Sequence, residues 1–221
     1  TGRELREYSY QVLGTMRTLE EARRACLARA EAHPEARALA ALLAAEQPET
    51  LRNTMTLGDL LVERDPGSLV LTLLLALGAV IERADVAVLL TMSSFLSVDE
   101  DVARYLLTGL RVPYGPAGGA IAWEKVARTP AAAPIVGAVA RVQAGEAGGR
   151  FSALALCGVA PVPVGQPEVA RTYDETGDIE AALGQLALDP PDDHWGSREY
   201  RAEMARVTAR RALLRAASDA R

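Results

Sequence analysis

In the first part of the chain, apolar residues first alternate with polar ones, as in a strand, and then recur at the spacing of a helix. Residues 8–13 (YSYQVL) alternate in polarity and stop at a glycine, as a strand does. Thr18 then opens the sequence TLEE, which places Glu21 at the third helical position and predicts a capping box at a helix start. Pro34 interrupts this helix, and the leucines after it predict a second one. We therefore expect a strand followed by two helices.

A long apolar run occupies residues 68–81. Thr72 and Gly78 interrupt it and charged residues end it, so it lacks the length and the flanks of a membrane span. We interpret it as a buried helix that leads into a strand. The strand residues 79–81 and the next apolar run, 86–90, are separated by few residues, which predicts a hairpin.

The pattern changes after the acidic residues 99–101, which places a domain boundary near residue 100. Strands are predicted at residues 106–112, 135–142 and 151–159, and a glycine-rich connection makes the last two an antiparallel pair. The expected domains are residues 1–100 and 101–221.

Two helices are predicted near the C-terminus. Asp178 can cap a short one, and Ser197 begins a long one. The buried side of the long helix is predicted to carry its larger apolar residues, namely Tyr200, Met204, Val207 and Leu214. The predicted fold class is α+β, with a C-terminal three-stranded antiparallel sheet followed by helices.

Composition and charge narrow the classes of function. The 221 residues carry 24 Lys and Arg against 29 Asp and Glu, a net charge of −5, which disfavours nucleic-acid binding because that needs a concentrated basic surface. Cys26 and Cys157 offer neither a zinc spacing nor a disulfide framework and fit a reducing cytoplasm. Iron–sulfur ligation by this chain alone is set aside, since such clusters usually need four cysteines. His33 and His194 lie far apart without a nucleophile pattern, so no catalytic triad is expected.

Several phrases in a fixed order resemble a known family. LRN-x-x-TLG is followed by DP and by an apolar helix ending in ALGA, and later come AWEKVAR, LALCGVAPVPV and GSREYR with a long terminal helix. From about Val12 to the C-terminus, this order is similar to the FAD-binding (medium) subunit or domain of the molybdenum hydroxylases. That family includes aerobic carbon monoxide dehydrogenase and xanthine dehydrogenase.

The resemblance implies a flavoprotein subunit of an oxidoreductase rather than an independent enzyme. FAD would receive electrons from iron–sulfur clusters in a partner subunit, after a molybdopterin subunit has oxidised the substrate, and would pass them to an external acceptor. Residues 1–100 would be the second FAD-binding subdomain and residues 101–221 the C-terminal domain. The first subdomain, with its glycine-rich pyrophosphate loop, is expected to be absent or to come from another chain, because residues 1–7 supply no adjacent glycines.

The matched positions give the candidate cofactor-binding residues, which are Thr56, Leu57, Gly58, Val62 and Lys125. Lys125, the only lysine of the chain, matches a lysine near the flavin ring, where a cation could stabilise a reduced flavin. The simpler interpretation is an exposed lysine.

The chain also departs from the family pattern at the expected cofactor. Asp59 and Leu60 stand where the family has a second glycine and a small polar residue, and Leu69 replaces an acid that contacts hydroxyls of the cofactor. A carboxylate facing a pyrophosphate opposes binding through like charge and desolvation. Two hypotheses remain open: a flavin electron-transfer subunit, and a degenerate relative that holds other subunits together without flavin.

Overall fold

The computed structural model describes residues 9–85, 89–99, 101–115, 118–130, 132–144 and 150–220. The chain divides into two compact units. Unit 1 contains Thr1–Arg64 and Leu77–Ala117, and unit 2 contains Asp65–Ala76 and Gly118–Arg221. The chain therefore passes between the units three times, and this division does not coincide with the single boundary expected near residue 100. The assignment of the two halves to family domains stays a prediction.

The secondary structure begins with β1 (Ser9–Gly14), α1 (Leu19–Leu27), α2 (Pro34–Glu46), α3 (Glu49–Arg52), α4 (Leu57–Glu63) and α5 (Leu69–Leu77). It continues with β2 (Val80–Arg83), β3 (Leu90–Thr91), α6 (Met92–Leu96), a 3₁₀ turn (Val102–Arg104) and β4 (Leu107–Tyr114). The remaining elements are β5 (Ala120–Val126), β6 (Val136–Ala144), β7 (Arg150–Cys157), β8 (Val164–Gly165), α7 (Pro167–Thr176), α8 (Ile179–Leu183) and α9 (Arg198–Asp219).

The opening of unit 1 confirms the predicted strand and two helices. The capping box is present, because the Thr18 hydroxyl accepts a hydrogen bond from the Glu21 amide at 3.2 Å and the Glu21 carboxylate accepts one from the Thr18 amide at 3.0 Å. Pro34 occupies the first turn of α2, where its missing N–H has no cost.

The sheet of unit 1 is antiparallel, in the order β1-β4-β2-β3. The strand predicted at residues 106–112 is present as β4, but its assignment to the second sheet is wrong. It pairs with β1, where Leu13 lies opposite Leu110, and with β2. Both leucines are almost completely buried, so this pairing contributes to the core of unit 1. The predicted pairing of β2 with β3 is confirmed at residues 80–81 and 90–91; residues 86–88 lie outside the described part of the chain.

The sheet of unit 2 is antiparallel, in the order β5-β6-β7-β8. The α+β class is confirmed, and so is a C-terminal sheet with three long antiparallel strands. The first of these three strands is β5 and not the strand at residues 106–112. The sequence analysis missed β5, the two-residue strand β8 and helix α7. The helix α5 also belongs mainly to unit 2, where it delivers Leu69 to the core.

The helix α9 packs on the sheet of unit 2 through small residues. Its buried residues are Arg201, Ala205, Thr208, Ala209, Ala212, Leu213 and Ala216. The predicted buried side is wrong for Tyr200 and Leu214, which are 41% and 52% exposed, whereas Met204 is half-buried and packs against the core of unit 2. Alanine side chains let a helix approach a sheet closely, and they make up most of the face that packs there. In the described part of the chain, no helix has the length and hydropathy to cross a bilayer.

Candidate functional site

The predicted cofactor turn lies at the start of α4, where Thr56 and Asp59 form a second capping box. The Thr56 hydroxyl accepts a hydrogen bond from the Asp59 amide at 3.1 Å. One carboxylate oxygen of Asp59, Oδ2, accepts from the Thr56 amide and from the Thr56 hydroxyl, each at 2.8 Å. These two bonds, led by the one from the backbone, hold the pKa of Asp59 below its ordinary value. The carboxylate therefore stays ionised and turns back onto the N-terminus of its own helix.

The next two amides of this turn also donate within unit 1. The Leu57 amide donates to the Arg17 carbonyl at 2.9 Å, and the Gly58 amide donates to the Thr15 carbonyl at 2.8 Å. A Cβ atom added at Gly58 would lie 3.4 Å from that same Thr15 oxygen. At that distance a Cβ would make an ordinary van der Waals contact, so the space around Gly58 does not by itself require a glycine.

The five predicted site residues fall into two groups. The structure brings Thr56, Leu57, Gly58 and Val62 together on α4 of unit 1; Leu57 is fully buried and Val62 is half-buried. Lys125 lies on β5 of unit 2, where its ammonium group donates a hydrogen bond to the Ala132 carbonyl at 2.9 Å. The lysine therefore has a structural partner within its own unit.

Leu69, where the resemblance implies an acid, is a core residue of unit 2. It is 4% exposed and lies against Gly137 of β6. A Cβ atom built on Gly137 would lie 2.8 Å from the Leu69 Cδ2 atom and 2.8 Å from the Cys157 sulfur. This packing leaves no room for a hydrated carboxylate.

Comparison with known proteins identifies relatives of this fold. No protein-family model matches the sequence. The carbon monoxide dehydrogenase medium chain of Afipia carboxidovorans is 32% identical over 124 residues, which span 52% of this chain and 42% of that relative. A crystal structure of the Cu,Mo-CO dehydrogenase in a cyanide-inactivated form aligns over 96% of this chain and 76% of its own, with a TM-score of 0.79 and 26% identity. The recognition of a medium-chain relative is confirmed.

Two further solved structures have a similar fold. The reconstituted CO dehydrogenase from Oligotropha carboxidovorans has a TM-score of 0.78 at 26% identity and covers 95% of this chain and 76% of its own. Quinoline 2-oxidoreductase from Pseudomonas putida 86 has a TM-score of 0.77 at 23% identity, with coverages of 97% and 79%, and shows the fold alone.

The medium-chain resemblance implies FAD, but the residues around the α4 turn do not fit a pyrophosphate. An anion at a helix start needs backbone N–H groups that point at it. The amides of Thr56, Leu57, Gly58 and Asp59 all donate to oxygens of unit 1 instead. The ionised Asp59 carboxylate adds like charge at the same turn, and Leu69 cannot accept a hydrogen bond.

The Asp59 capping box could have been found in the sequence. Thr56-Leu57-Gly58-Asp59 has the same spacing as the box that begins at Thr18, namely a hydroxyl residue followed three positions later by an acid. The capping rule accounts for Asp59 at the position where the resemblance implies a second glycine.

The loop before α4 is held by a buried carboxylate that the sequence analysis missed. Glu20 on α1 accepts hydrogen bonds from Arg23 at 2.6 and 2.9 Å, from Arg24 at 3.1 Å and from Arg52 at 2.9 Å. These guanidinium groups, Arg23 first, lower the pKa of Glu20 strongly. Arg52 also donates to the Gln47 carbonyl at 2.6 Å, so its side chain ties α1 to the segment that follows α2.

A cavity of about 340 Å³ lies within unit 2, beside Arg201 and Trp195. The guanidinium of Arg201 donates to the carbonyls of Ile135 and Gly158 at 2.9 and 2.7 Å, and to both carboxylate oxygens of Asp193 at 2.7 and 2.9 Å. The fifth N–H of Arg201, on Nε, donates to the Gly196 carbonyl at 3.4 Å. Arg201 therefore anchors the surrounding loops and leaves no donor for an anionic ligand. The GSREYR phrase thus has a structural role here.

The remaining reactive residue types have structural contacts. His33 stacks on Tyr114 with ring centroids 4.2 Å apart, and His194 lies against Trp195 at 4.9 Å. Both cysteines are buried, and burial raises the pKa of Cys26 to about 12. Within the described ranges, no group of three or more His, Cys, Asp and Glu side chains could hold a metal ion.

Proposed function

We propose that this chain is a medium-chain-type subunit or domain of a molybdenum hydroxylase complex. Partner chains would carry the iron–sulfur clusters and the molybdopterin cofactor, and the complex would be cytoplasmic. The similarity to the carbon monoxide dehydrogenase medium chain supports this proposal. The two buried cysteines of the chain cannot supply the four thiolates that such a cluster usually needs.

Within that complex, the geometry of the chain favours the role of a scaffold that holds other subunits without flavin. The capping box of Thr56 and Asp59 is the observation that carries this role, because it places an ionised carboxylate at the turn that would face the pyrophosphate. The neighbouring amides, which could otherwise bind phosphate oxygens, are already hydrogen-bonded.

The second candidate role is that of a flavoprotein subunit. FAD would then take electrons from the partner iron–sulfur clusters and pass them to an external acceptor. The confirmed resemblance and the position of Lys125 on β5 favour this role. For it to hold, the contacts of Thr56 and Asp59 would have to break when the cofactor binds.

The flavin and metal contents of the native complex distinguish these roles. The full chain is tagged at its C-terminus in its host, the complex is purified, and iron, molybdenum and acid-released flavin are measured per chain. Iron and molybdenum with substoichiometric flavin would support the scaffold, whereas one flavin per chain would support electron transfer. Co-purification of neither metal would contradict membership of such a complex.

A further inference from the structure

The outward face of α9 carries apolar residues at heptad spacing. Tyr200, Val207 and Leu214 follow one another at intervals of seven residues, so they lie in one line along the helix. Tyr200 is 41% exposed, Leu214 is 52% exposed and Val207 is half-buried. Fourteen residues of α-helix rise about 21 Å. This line, which we call the outer seam, is therefore about four turns long.

The core of unit 2 does not use the outer seam. The sheet-facing side of α9 is made mainly of buried alanines, at positions 205, 209, 212 and 216. A helix on the surface of a domain usually turns its larger apolar residues inward and its polar residues outward. In α9 the small residues face the sheet, and three larger apolar residues face away from it.

Arginines flank the outer seam. Arg206, Arg210 and Arg211 are exposed on the same part of α9. Arg210 forms an ion pair with Glu180 of α8. Arg206 and Arg211 have no ion-pair or hydrogen-bond partner among the residues that the structure describes. This basic surface belongs to a chain with a net charge of −5, so it does not follow from overall composition.

A groove accompanies the seam between α8 and α9. It has a volume of about 440 Å³, and Leu183, Gly184 and Val207 give it an apolar part. Its charged lining contains Glu180 and Glu203 together with the three arginines, so positive charge is in excess. The glycine carries no side chain and leaves the groove accessible at that point.

We propose that the outer seam and this groove bind an acidic amphipathic helix of a partner chain. Apolar anchors seven residues apart are among the spacings that helix-in-groove binding uses. Carboxylates on the incoming helix would pair with Arg206 and Arg211. In a parallel pair with a second copy of α9, each arginine would lie near its own counterpart, which costs free energy. An antiparallel pair would place Arg211 near Glu203 and is an outcome of the test. The proposal does not depend on whether FAD is bound.

Synthetic peptides test the proposal with the full-length chain. The probe is a fluorescein-labelled helical peptide of about three heptads. It has Leu at the a and d positions of each heptad and Glu at the flanking e and g positions. A second peptide has Lys in place of every Glu. Fluorescence anisotropy should show saturable binding of the acidic peptide and at least about tenfold weaker binding of the basic one. The affinity for the acidic peptide should fall as salt concentration rises.

Three variants distinguish peptide binding at the outer seam from non-specific hydrophobic binding. Leu214→Ala should weaken the acidic peptide about tenfold, because it removes an apolar anchor. Leu106→Ala is the matched control, since Leu106 is 63% exposed but lies in unit 1; it should change nothing. The double change Arg206→Glu with Arg211→Glu should reverse the preference toward the basic peptide. All these residues are exposed, so circular dichroism should report an unchanged fold.

Three results would overturn the proposal. The first is that neither peptide binds, or that both bind alike. The second is that Leu106→Ala weakens binding as much as Leu214→Ala. The third is a dimer in light scattering that Leu214→Ala dissociates, because that would assign the outer seam to a second copy of the chain.

Discussion

The Asp59 carboxylate accepts hydrogen bonds from both the amide and the hydroxyl of Thr56, each at 2.8 Å. Asp59, which stands where the resemblance implies a second glycine, therefore forms a reciprocal cap with Thr56. A capping carboxylate is stabilising at a helix N-terminus, but it occupies the donors that a bound phosphate would need. Stability of α4 and affinity for a pyrophosphate are thus opposed at this one residue.

Replacing Asp59 should destabilise unit 1. We expect Asp59→Ala to lower the free energy of unfolding by about 1 kcal/mol, because it removes the reciprocal cap of α4. Urea unfolding followed by circular dichroism measures the change. Asp99→Ala is the control: Asp99 is exposed in the same unit, and a change there should be within about 0.5 kcal/mol. Equal effects of the two substitutions would show that the cap contributes nothing.

The contribution of Asp59 should depend on pH. Its pKa is lower in the folded protein than in the unfolded chain, because Thr56 donates to the ionised carboxylate. Such a group stabilises the fold above its unfolded pKa of about 3.9, and this contribution is lost as the pH falls through the folded value. The difference in unfolding free energy between wild type and Asp59→Ala should therefore shrink from pH ~7 to pH ~2. A difference independent of pH would contradict the role of the charge.

The buried carboxylate of Glu20 should contribute more to thermal stability than its exposed partner Arg24. Glu20→Gln removes the charge that neutralises Arg23 and Arg52, whose side chains are 24% and 12% exposed. Arg24→Ala is the control, since that side chain is 71% exposed and such surface pairs contribute about 0.5 kcal/mol. In thermal unfolding, Glu20→Gln should lower Tm several times as much as Arg24→Ala. Similar shifts would mean that the cluster does not hold the loop before α4.

An acidic residue at position 69 should lower the folding stability of the protein. Leu69→Asp would bury a carboxylate beside Gly137 and Cys157, and we expect it to destabilise the protein by about 3–5 kcal/mol. Leu69→Met, which conserves volume, should cost less than about 1.5 kcal/mol. Chemical unfolding of both variants tests this pair. A stable Leu69→Asp protein would show that this position opens to solvent.

Local rules predicted the helix starts well. The caps at Thr18, Asp178 and Ser197 are all present, because a cap depends on residues within three positions of one another. Strand partners and buried helix faces depend on residues that are far apart in the sequence. The predictions of the partner of β4 and of the buried side of α9 were therefore the ones that failed. Nothing near residue 110 indicates that its strand partner lies at Leu13.

The same contrast applies to α9 and to the candidate site. Tyr200 and Leu214 have the spacing of a buried stripe, but the sequence does not show that small residues such as Ala205 are the ones that fit the sheet. The grouping of site residues on α4 came from the family resemblance, which identifies positions. The state of Asp59 depends on its hydrogen bonds to Thr56, which the structure provides.

An FAD titration of the wild-type chain and of Asp59→Gly, followed by flavin fluorescence, tests the central claim most directly. Asp101→Gly is the control, because it removes one negative charge and one helix-turn cap from the same unit. If the capping carboxylate opposes the pyrophosphate, wild type and Asp101→Gly should show no saturable binding, and Asp59→Gly should bind measurably more tightly. Stoichiometric binding by wild type, or unchanged or weaker binding by Asp59→Gly, would contradict the account.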